Sequence, residues 1–405
     1  MAEFVQANLE KMLTELEQLQ RIQLLSNEEV KMVIKKRKKF EYKLQKRQKQ
    51  KNDILAYIKY ESSLLNLIAI RRDQSKYMNK KNEIDHAIAK RINKLFRILE
   101  HRFAGDLMVW SSHMAFLKEM GWDESIGKIY RRMLQVHPEK ANLWISAGRY
   151  ELGDKSGVKD LENIENARTI FMEGLRFHPT SVELLLESFR LELLFIQRLK
   201  EDPQNYSVPE ENKDAIMKGE IAEAICRRGH EAFREQNSSA SNNETVVEML
   251  TSMLYSAKLL GAGCSLQEYI IKTLLEKFPN EPVTWNTYAL VALFPQIEKD
   301  FNEKHEENEL ICAKERSSLQ KVRQCCCRFE EGLAERLPIE VPANRQKLLN
   351  MYLETMIQIL KDAKDTKVCS VVEERMWHLL NYGKQKCLLN EKNANLFQKI
   401  IETGK

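Results

Sequence analysis

Three segments of the chain follow one spacing rule, which constrains the fold more than any other feature. An aliphatic residue is followed nine positions later by a proline and six positions after that by a large apolar residue. The full copies are Ile129, Pro138 and Trp144; Ile170, Pro179 and Leu185; and Ile270, Pro279 and Trp285; a weaker copy is Leu95, Ala104 and Trp110. Because proline stops a helix and a bulky residue anchors the next one, each copy predicts a helical hairpin.

A single hairpin cannot bury its apolar face, so we expect consecutive hairpins to stack. A low content of turn-forming residues, 14 Gly and 9 Pro among 405 residues, also favours helices. The sequence therefore predicts an all-α fold, an α-solenoid of helical hairpins with an N-terminal helical extension. The nine residues of the three full copies, together with Trp110, are the expected core of the repeats.

Helical periodicity and the positions of proline and polar clusters divide the chain into four predicted regions. They are an N-terminal helical segment, 1–52, with a basic helix over 27–51; a first repeat block, 53–199; insertions with one helix, 200–244; and a second block, 245–405. Within the insertions we expect loops at 201–214 and 236–244. The second block is predicted to contain a long charged helix at about 300–336 that protrudes as an arm, and an open C-terminal end, because the helix over 394–403 has no partner helix.

Positive charge is concentrated near the N-terminus. Residues 31–102 hold 22 Lys or Arg against 7 Asp or Glu, whereas the whole chain carries a net charge of +5. A capping box of Ser26 and Glu29 predicts a helix here, and an apolar stripe on one side leaves the cations on the other. The candidate contact residues are Lys35, Lys36, Arg37, Lys38, Lys39, Lys43, Lys46 and Arg47.

Three uses of this basic run remain open from the residues alone. The run is a solvated helix face, a contact surface for RNA phosphates or an acidic protein, or a nuclear import signal over 35–39. These uses are compatible with one another.

No arrangement of residues in the sequence predicts catalysis. Gly261-Ala262-Gly263 lacks the third glycine and the Lys-Ser or Lys-Thr pair of a phosphate-binding loop. Cys325, Cys326 and Cys327 are adjacent, so they point to different faces of a helix and cannot together hold one tetrahedral ion. We therefore expect a protein that is not an enzyme and has no cofactor, metal or small-molecule substrate. The short apolar stretches and the polar N-terminus predict an intracellular protein without a membrane segment.

The repeat residues resemble a known helical motif. Glu151 and Glu192 each lie seven residues after a bulky anchor, and Ala167-Arg168 lies in the second helix of a hairpin. This pattern is similar to the half-a-tetratricopeptide (HAT) repeat, which is typical of proteins that act on RNA-containing assemblies. Leu117, Ala292 and Ile126-Gly127 depart from the pattern, which weakens the polar contacts expected in those units.

The opening segments are more specific. Residues 1–6, 9–13, 15–19, 34–44 and 53–61 resemble the N-terminal signature of the U3 small nucleolar RNA-associated protein 6 family. The resemblance implies a non-catalytic scaffold of the small-subunit processome, which is also called the U3 snoRNP. The implied location is the nucleus, and within it the nucleolus. Its implied role is processing of pre-rRNA to 18S rRNA for small ribosomal subunit biogenesis.

The implied partners are the WD-repeat proteins of the UtpB subcomplex. U3 small nucleolar RNA and pre-rRNA are the implied RNA partners, contacted directly or through those proteins. An alternative within the same class is a HAT-repeat scaffold of mRNA splicing or 3′-end processing.

Overall fold

The computed structural model describes residues 2–75, 81–153, 161–201, 215–236, 240–261, 263–293, 307–336, 342–362, 366–386 and 388. All regular secondary structure within these residues is helical, which confirms the all-α prediction. Two compact units divide the chain, Met1–Lys159 and Asp160–Lys405. Of the helices described, none is long and apolar enough to span a membrane.

The first unit is a series of helices in which each packs against the next. Short connections between long helices make neighbours antiparallel, as the hairpin prediction requires. The helices are α1 (Ala2–Arg21), α2 (Asn27–Leu44), α3 (Lys51–Ser75), α4 (Lys81–Arg102), α5 (Leu107–Glu119), α6 (Asp123–Val136) and α7 (Ala141–Gly153). In addition, α1 packs against α4, so the first four helices enclose a common core.

The second unit continues with helices of similar length. They are α8 (Leu161–Phe177), α9 (Val182–Glu201), α10 (Glu220–Gln236), α11 (Ala240–Leu259), α12 (Cys264–Lys277), α13 (Pro282–Leu293), α14 (Glu307–Glu331), α15 (Pro342–Asp362) and α16 (Thr366–Gln385). A π-helical turn, Gly332–Arg336, extends α14. Helix α9 packs against α8, α10 and α11, and α13 packs against α14 and α15.

In the copies of the spacing rule that contain tryptophan, the indole forms a hydrogen bond that the sequence analysis did not predict. The indole Nε1 of Trp144 donates to the carbonyl of Pro138 at 3.1 Å, and that of Trp285 donates to Pro279 at 2.8 Å. The weaker copy has the same bond, from Trp110 to the carbonyl six residues earlier at 2.9 Å. In the three full copies the first helix ends two residues before the proline. In the two full copies with tryptophan, the proline therefore follows the end of one helix and supplies the acceptor that orients the tryptophan of the next.

The structure places most of the expected repeat core in the interior. The buried residues are Trp110, Trp144, Leu185, Trp285, Ile129 and Ile270, while Pro138, Pro179 and Pro279 are half-buried at the helix ends. Ile170 differs from the expectation because it is only half-buried. The neighbouring Phe171 is 1% exposed and takes the core position in α8. Its larger ring buries more apolar surface, so α8 turns this face inward.

Two expected helix boundaries are wrong. The basic helix predicted over 27–51 ends at Leu44, and α3 begins at Lys51. Residues 45–50 contain no apolar side chain, so a continued helix would bury nothing there. Helix α11 begins at Ala240, inside the loop predicted over 236–244. The predicted loop at 201–214, apart from Glu201, and the predicted helix at 394–403 lie outside the described residues.

The long charged helix was expected to protrude as an arm, but its C-terminal half packs into the core of the second unit. Val322, Cys325, Cys326 and Phe329 of α14 are buried against the second unit's core. Phe329 stacks on Tyr352 of α15 with ring centroids 4.3 Å apart. The apolar residues recur every three or four positions, which is the spacing of a packed helix face.

Replacing Trp144 by Phe is expected to lower the urea midpoint of unfolding. The phenyl ring preserves most of the packing, but the Pro138 carbonyl loses its donor, a loss of about 1 kcal/mol. Trp377→Phe is the matched control, because Trp377 is 40% exposed and belongs to no copy of the rule. An equal shift of the midpoint in the two variants would show that the indole hydrogen bond contributes nothing.

Candidate partner and nucleic-acid interface

The predicted capping box lies at the start of α2, and its Glu29 also forms hydrogen bonds with α3. The Ser26 hydroxyl accepts from the Glu29 amide at 3.2 Å, and the Glu29 carboxylate accepts from the Ser26 amide at 2.8 Å. Arg71 of α3 also donates to both oxygens of this carboxylate, at 2.9 and 2.6 Å. The Arg71 hydrogen bonds, followed by the Ser26 amide, lower the pKa of Glu29 to about 2.

The buried side of α2 carries an arginine among its apolar residues. Arg37 is 0% exposed and lies in the interior of the first four helices. Its Nη1 donates to Glu15 of α1 at 2.6 Å, and its Nε and Nη2 donate to the two oxygens of Glu61 of α3, each at 2.8 Å. The pKa of Arg37 is lowered by burial but raised overall by the charges of Glu61 and Glu15.

A second arginine, Arg91 of α4, completes this group. It donates to Glu15 at 2.8 Å and to Glu61 at 3.1 Å. Two guanidinium groups therefore face two carboxylates, and each arginine contacts both glutamates. We call Glu15, Arg37, Glu61 and Arg91 the buried ion cluster. It has no net formal charge, and one residue comes from each of the first four helices.

Polar and aromatic contacts lie close to the buried ion cluster. Tyr57 donates to Glu41 at 3.1 Å, and Asn8 donates to the other oxygen of Glu41 at 3.1 Å. Burial, followed by the nearby charges of Glu61 and Glu41, raises the pKa of Tyr57. Phe40 stacks on Tyr57 with ring centroids 4.8 Å apart. The buried carboxylates are thus hydrogen-bonded, as buried charges must be.

The eight candidate contact residues divide into three groups. Those with exposed side chains are Lys35, Lys36, Lys38, Lys39, Lys46 and Arg47, and we call the first four the lysine face. Lys36 also lies over the ring of Tyr60, 5.1 Å from its centroid. Lys43 is half-buried and pairs with Asp53 at 2.6 Å. Arg37 departs from the prediction, because a side chain enclosed in the buried ion cluster cannot reach a partner.

The lysine face can attract a polyanion. Lys35, Lys38 and Lys39 have no ion pair within the described part of the chain, so their charges act on the solvent side. Ammonium groups bind phosphate or carboxylate as point charges and carry no sequence information. The arrangement suits electrostatic docking. In the described ranges, no group of three or more His, Cys, Asp or Glu side chains is placed to hold a metal ion.

These features define a class: a helical-repeat protein whose most basic region contains a buried ion cluster. Comparison with known proteins shows which family the chain resembles. Residues 9–91 match the family model described as U3 small nucleolar RNA-associated protein 6. The matched range contains all four members of the buried ion cluster and ends at Arg91.

Relatives with the same name align over most of the chain. The U3 small nucleolar RNA-associated protein 6 homolog of Homo sapiens is 33% identical over 346 residues, which are 84% of this chain and 54% of that protein. The Mus musculus homolog is 29% identical over 398 residues, 93% of this chain and 63% of that protein. The Schizosaccharomyces pombe protein is 32% identical over 199 residues, 49% of this chain and 40% of that protein.

The family resemblance is therefore confirmed, and the chain is a relative of the U3 small nucleolar RNA-associated protein 6 proteins. In these alignments it spans less than two thirds of the length of each relative. The matched name describes a protein associated with a small nucleolar RNA.

Replacing Arg37 by Gln is expected to destabilise the protein by about 3–5 kcal/mol, because the two buried carboxylates of Glu15 and Glu61 are left with Arg91 as the one cation of the cluster. Lys38→Gln is the matched control on the exposed side of α2 and is expected to change the free energy of unfolding by less than about 0.5 kcal/mol. Urea denaturation measures both. A loss in Arg37→Gln no larger than in the control would contradict a structural role for Arg37.

The pair of Glu29 and Arg71 predicts a pH dependence of stability. Because the pKa of Glu29 is lowered to about 2 in the folded state, its contribution is fully present above its ordinary pKa of about 4.3 and is lost as the pH falls toward 2. The stability difference between wild type and Glu29→Gln should therefore shrink below about pH 4.3. Glu28→Gln, at the next position of the same helix, is the control, and a difference independent of pH would contradict the assignment.

Proposed function

We propose that the protein is a non-catalytic scaffold of the nucleolar small-subunit processome that supports processing of pre-rRNA to 18S rRNA. The observation that carries this proposal is the family match over 9–91. That segment contains the buried ion cluster and the lysine face, so the matched residues include those that order the basic region. Similarity to relatives over 84% and 93% of the chain extends the support into the repeats.

The partners follow from the family resemblance. We propose WD-repeat proteins of the UtpB subcomplex as direct protein partners, with U3 small nucleolar RNA and pre-rRNA in the same assembly in the nucleolus. In this proposal the lysine face docks on an acidic protein surface or an RNA backbone. Helical hairpins offer extended surfaces to several partners at once, which suits a scaffold.

Affinity purification of the tagged chain from nuclear extract, with and without RNase, tests the proposal. We expect WD-repeat processome proteins, U3 RNA and pre-rRNA in the untreated sample. After RNase the proteins are expected to remain, because a scaffold binds them directly. Recovery of splicing or poly(A) factors in their place would favour the alternative HAT-repeat scaffold and contradict the proposal.

The lysine face is tested in the same purification. Changing Lys35, Lys36, Lys38 and Lys39 to Glu is expected to reduce recovery of the partners, since the sign of the docking surface is reversed. Arg37 is left intact so that the fold is preserved. Four exposed lysines elsewhere, Lys128, Lys218, Lys272 and Lys361, changed to Glu give the matched control. Undiminished recovery with the first variant would remove the lysine face from the proposal.

A further inference from the structure

A second basic surface lies apart from the lysine face, in a cleft of about 800 Å³ in the first unit. One wall is the exposed side of α4, and the other is the turn that leads into α6. We call it the α4 cleft. The α4 wall carries His86, Lys90, Lys94 and Arg97, and the opposite wall carries Trp122, Asp123 and Glu124.

The cations of the α4 wall form a row. Lys90, Lys94 and Arg97 are four and three residues apart, a spacing that places them on one side of a helix. From Lys90 to Arg97 the helix rises about 10 Å. The row can therefore contact more than one phosphate of an extended nucleic acid.

These three cations have no ion-pair partner among the described residues. In the part of the chain that the structure describes, none of Lys90, Lys94 and Arg97 forms an ion pair, and all three are exposed. Their neighbour Arg91 is the opposite case, because both glutamates of the buried ion cluster neutralise it. The positive charge along the cleft is thus left for a ligand.

The opposite wall supplies different chemistry. Asp123 and Glu124 occupy the first turn of α6, so the cleft contains hydrogen-bond acceptors as well as cations. The ring of Trp122 meets the ring of His86 edge to face, with centroids 5.2 Å apart. His86 is exposed, which leaves an aromatic face available at the rim.

We propose that the α4 cleft binds single-stranded RNA. Phosphates pair with the cationic row, a base stacks at His86, and 2′-hydroxyl or base amino groups donate to Asp123 and Glu124. An acidic peptide uses the cations but has no base to stack at His86, so RNA is the better match. The choice of RNA as ligand rests on the proposed function.

Fluorescence anisotropy with a labelled oligouridylate of about twelve nucleotides tests this inference on the purified full chain. Changing Lys90, Lys94 and Arg97 to Gln is expected to weaken binding by about tenfold or more and to reduce the salt slope by about 2. Lys218, Lys272 and Lys361 changed to Gln remove the same charge from exposed sites outside both basic surfaces. This control is expected to lose less than about threefold. All six side chains are exposed, and circular dichroism confirms that both variants fold.

A second variant separates stacking from charge. His86→Ala is expected to weaken oligouridylate binding by about fivefold, while binding of inorganic polyphosphate stays unchanged. Absence of oligouridylate binding by the wild type, or equal losses in the two triple variants, would overturn the inference. Displacement by polyglutamate at equal charge concentration would also overturn it, in favour of an acidic protein ligand. If any of these results is obtained but the RNase-resistant protein partners are still recovered by affinity purification, the α4 cleft inference fails and the proposed function stands. The failure of one proposal can therefore be told from the failure of the other.

Discussion

The buried ion cluster is the interaction on which the first unit depends. Each of the first four helices contributes one residue to it, and the two guanidinium forks each contact both carboxylates. Apolar contacts tolerate small rotations of a helix about its axis, whereas a fork bonded at two or three oxygens does not. We infer that the cluster fixes the rotation of α1 to α4 relative to one another. Desolvation of these charges offsets much of their mutual attraction, so we infer that the cluster contributes conformational specificity more than stability.

Fixing those rotations also fixes what the helices present to solvent. With Arg37 held inward, Lys35, Lys38 and Lys39 are on the exposed side of α2. With Arg91 held inward, Lys90 and its neighbours along the row are on the exposed side of α4. One neutral group in the interior therefore orients two basic surfaces. Replacing a member of the cluster is therefore expected to disturb both basic surfaces although it changes no residue of either. For this reason Arg37 is unchanged in every variant that tests binding.

The sequence predicted the parts of the structure that local chemistry determines. The capping box of Ser26 and Glu29 and the helix ends before the prolines depend on residues within one or two turns, and both are in the structure. The burial of Arg37 depends on glutamates 22 and 24 residues away and on an arginine beyond them. A count of charges treats Arg37 as one more cation. Its position on the stripe with Val30 and Val33 was the signal that set it apart.

The α4 cleft was missed for a related reason. Its cations are spread along a helix and alternate with apolar residues, so no dense run marks them in the sequence. The opposite wall comes from the start of α6, and only packing brings the two walls together. For the long charged helix the error was the opposite one, because a buried face was predicted to be exposed. The high content of charge concealed the apolar spacing of Val322, Cys325 and Phe329.

The weaker copy of the spacing rule shows what the rule encodes. Trp110 donates to the carbonyl of Ala104 in the same way that Trp144 and Trp285 donate to the carbonyls of prolines. Any residue supplies a backbone carbonyl, so the hydrogen bond needs the six-residue spacing and not the proline itself. Leu185 has no indole, and in that hairpin Arg168 holds Glu192 with bonds of 2.7 and 2.8 Å. Of the four copies, three therefore carry an indole hydrogen bond, and the copy with Leu185 carries an ion pair between its two helices.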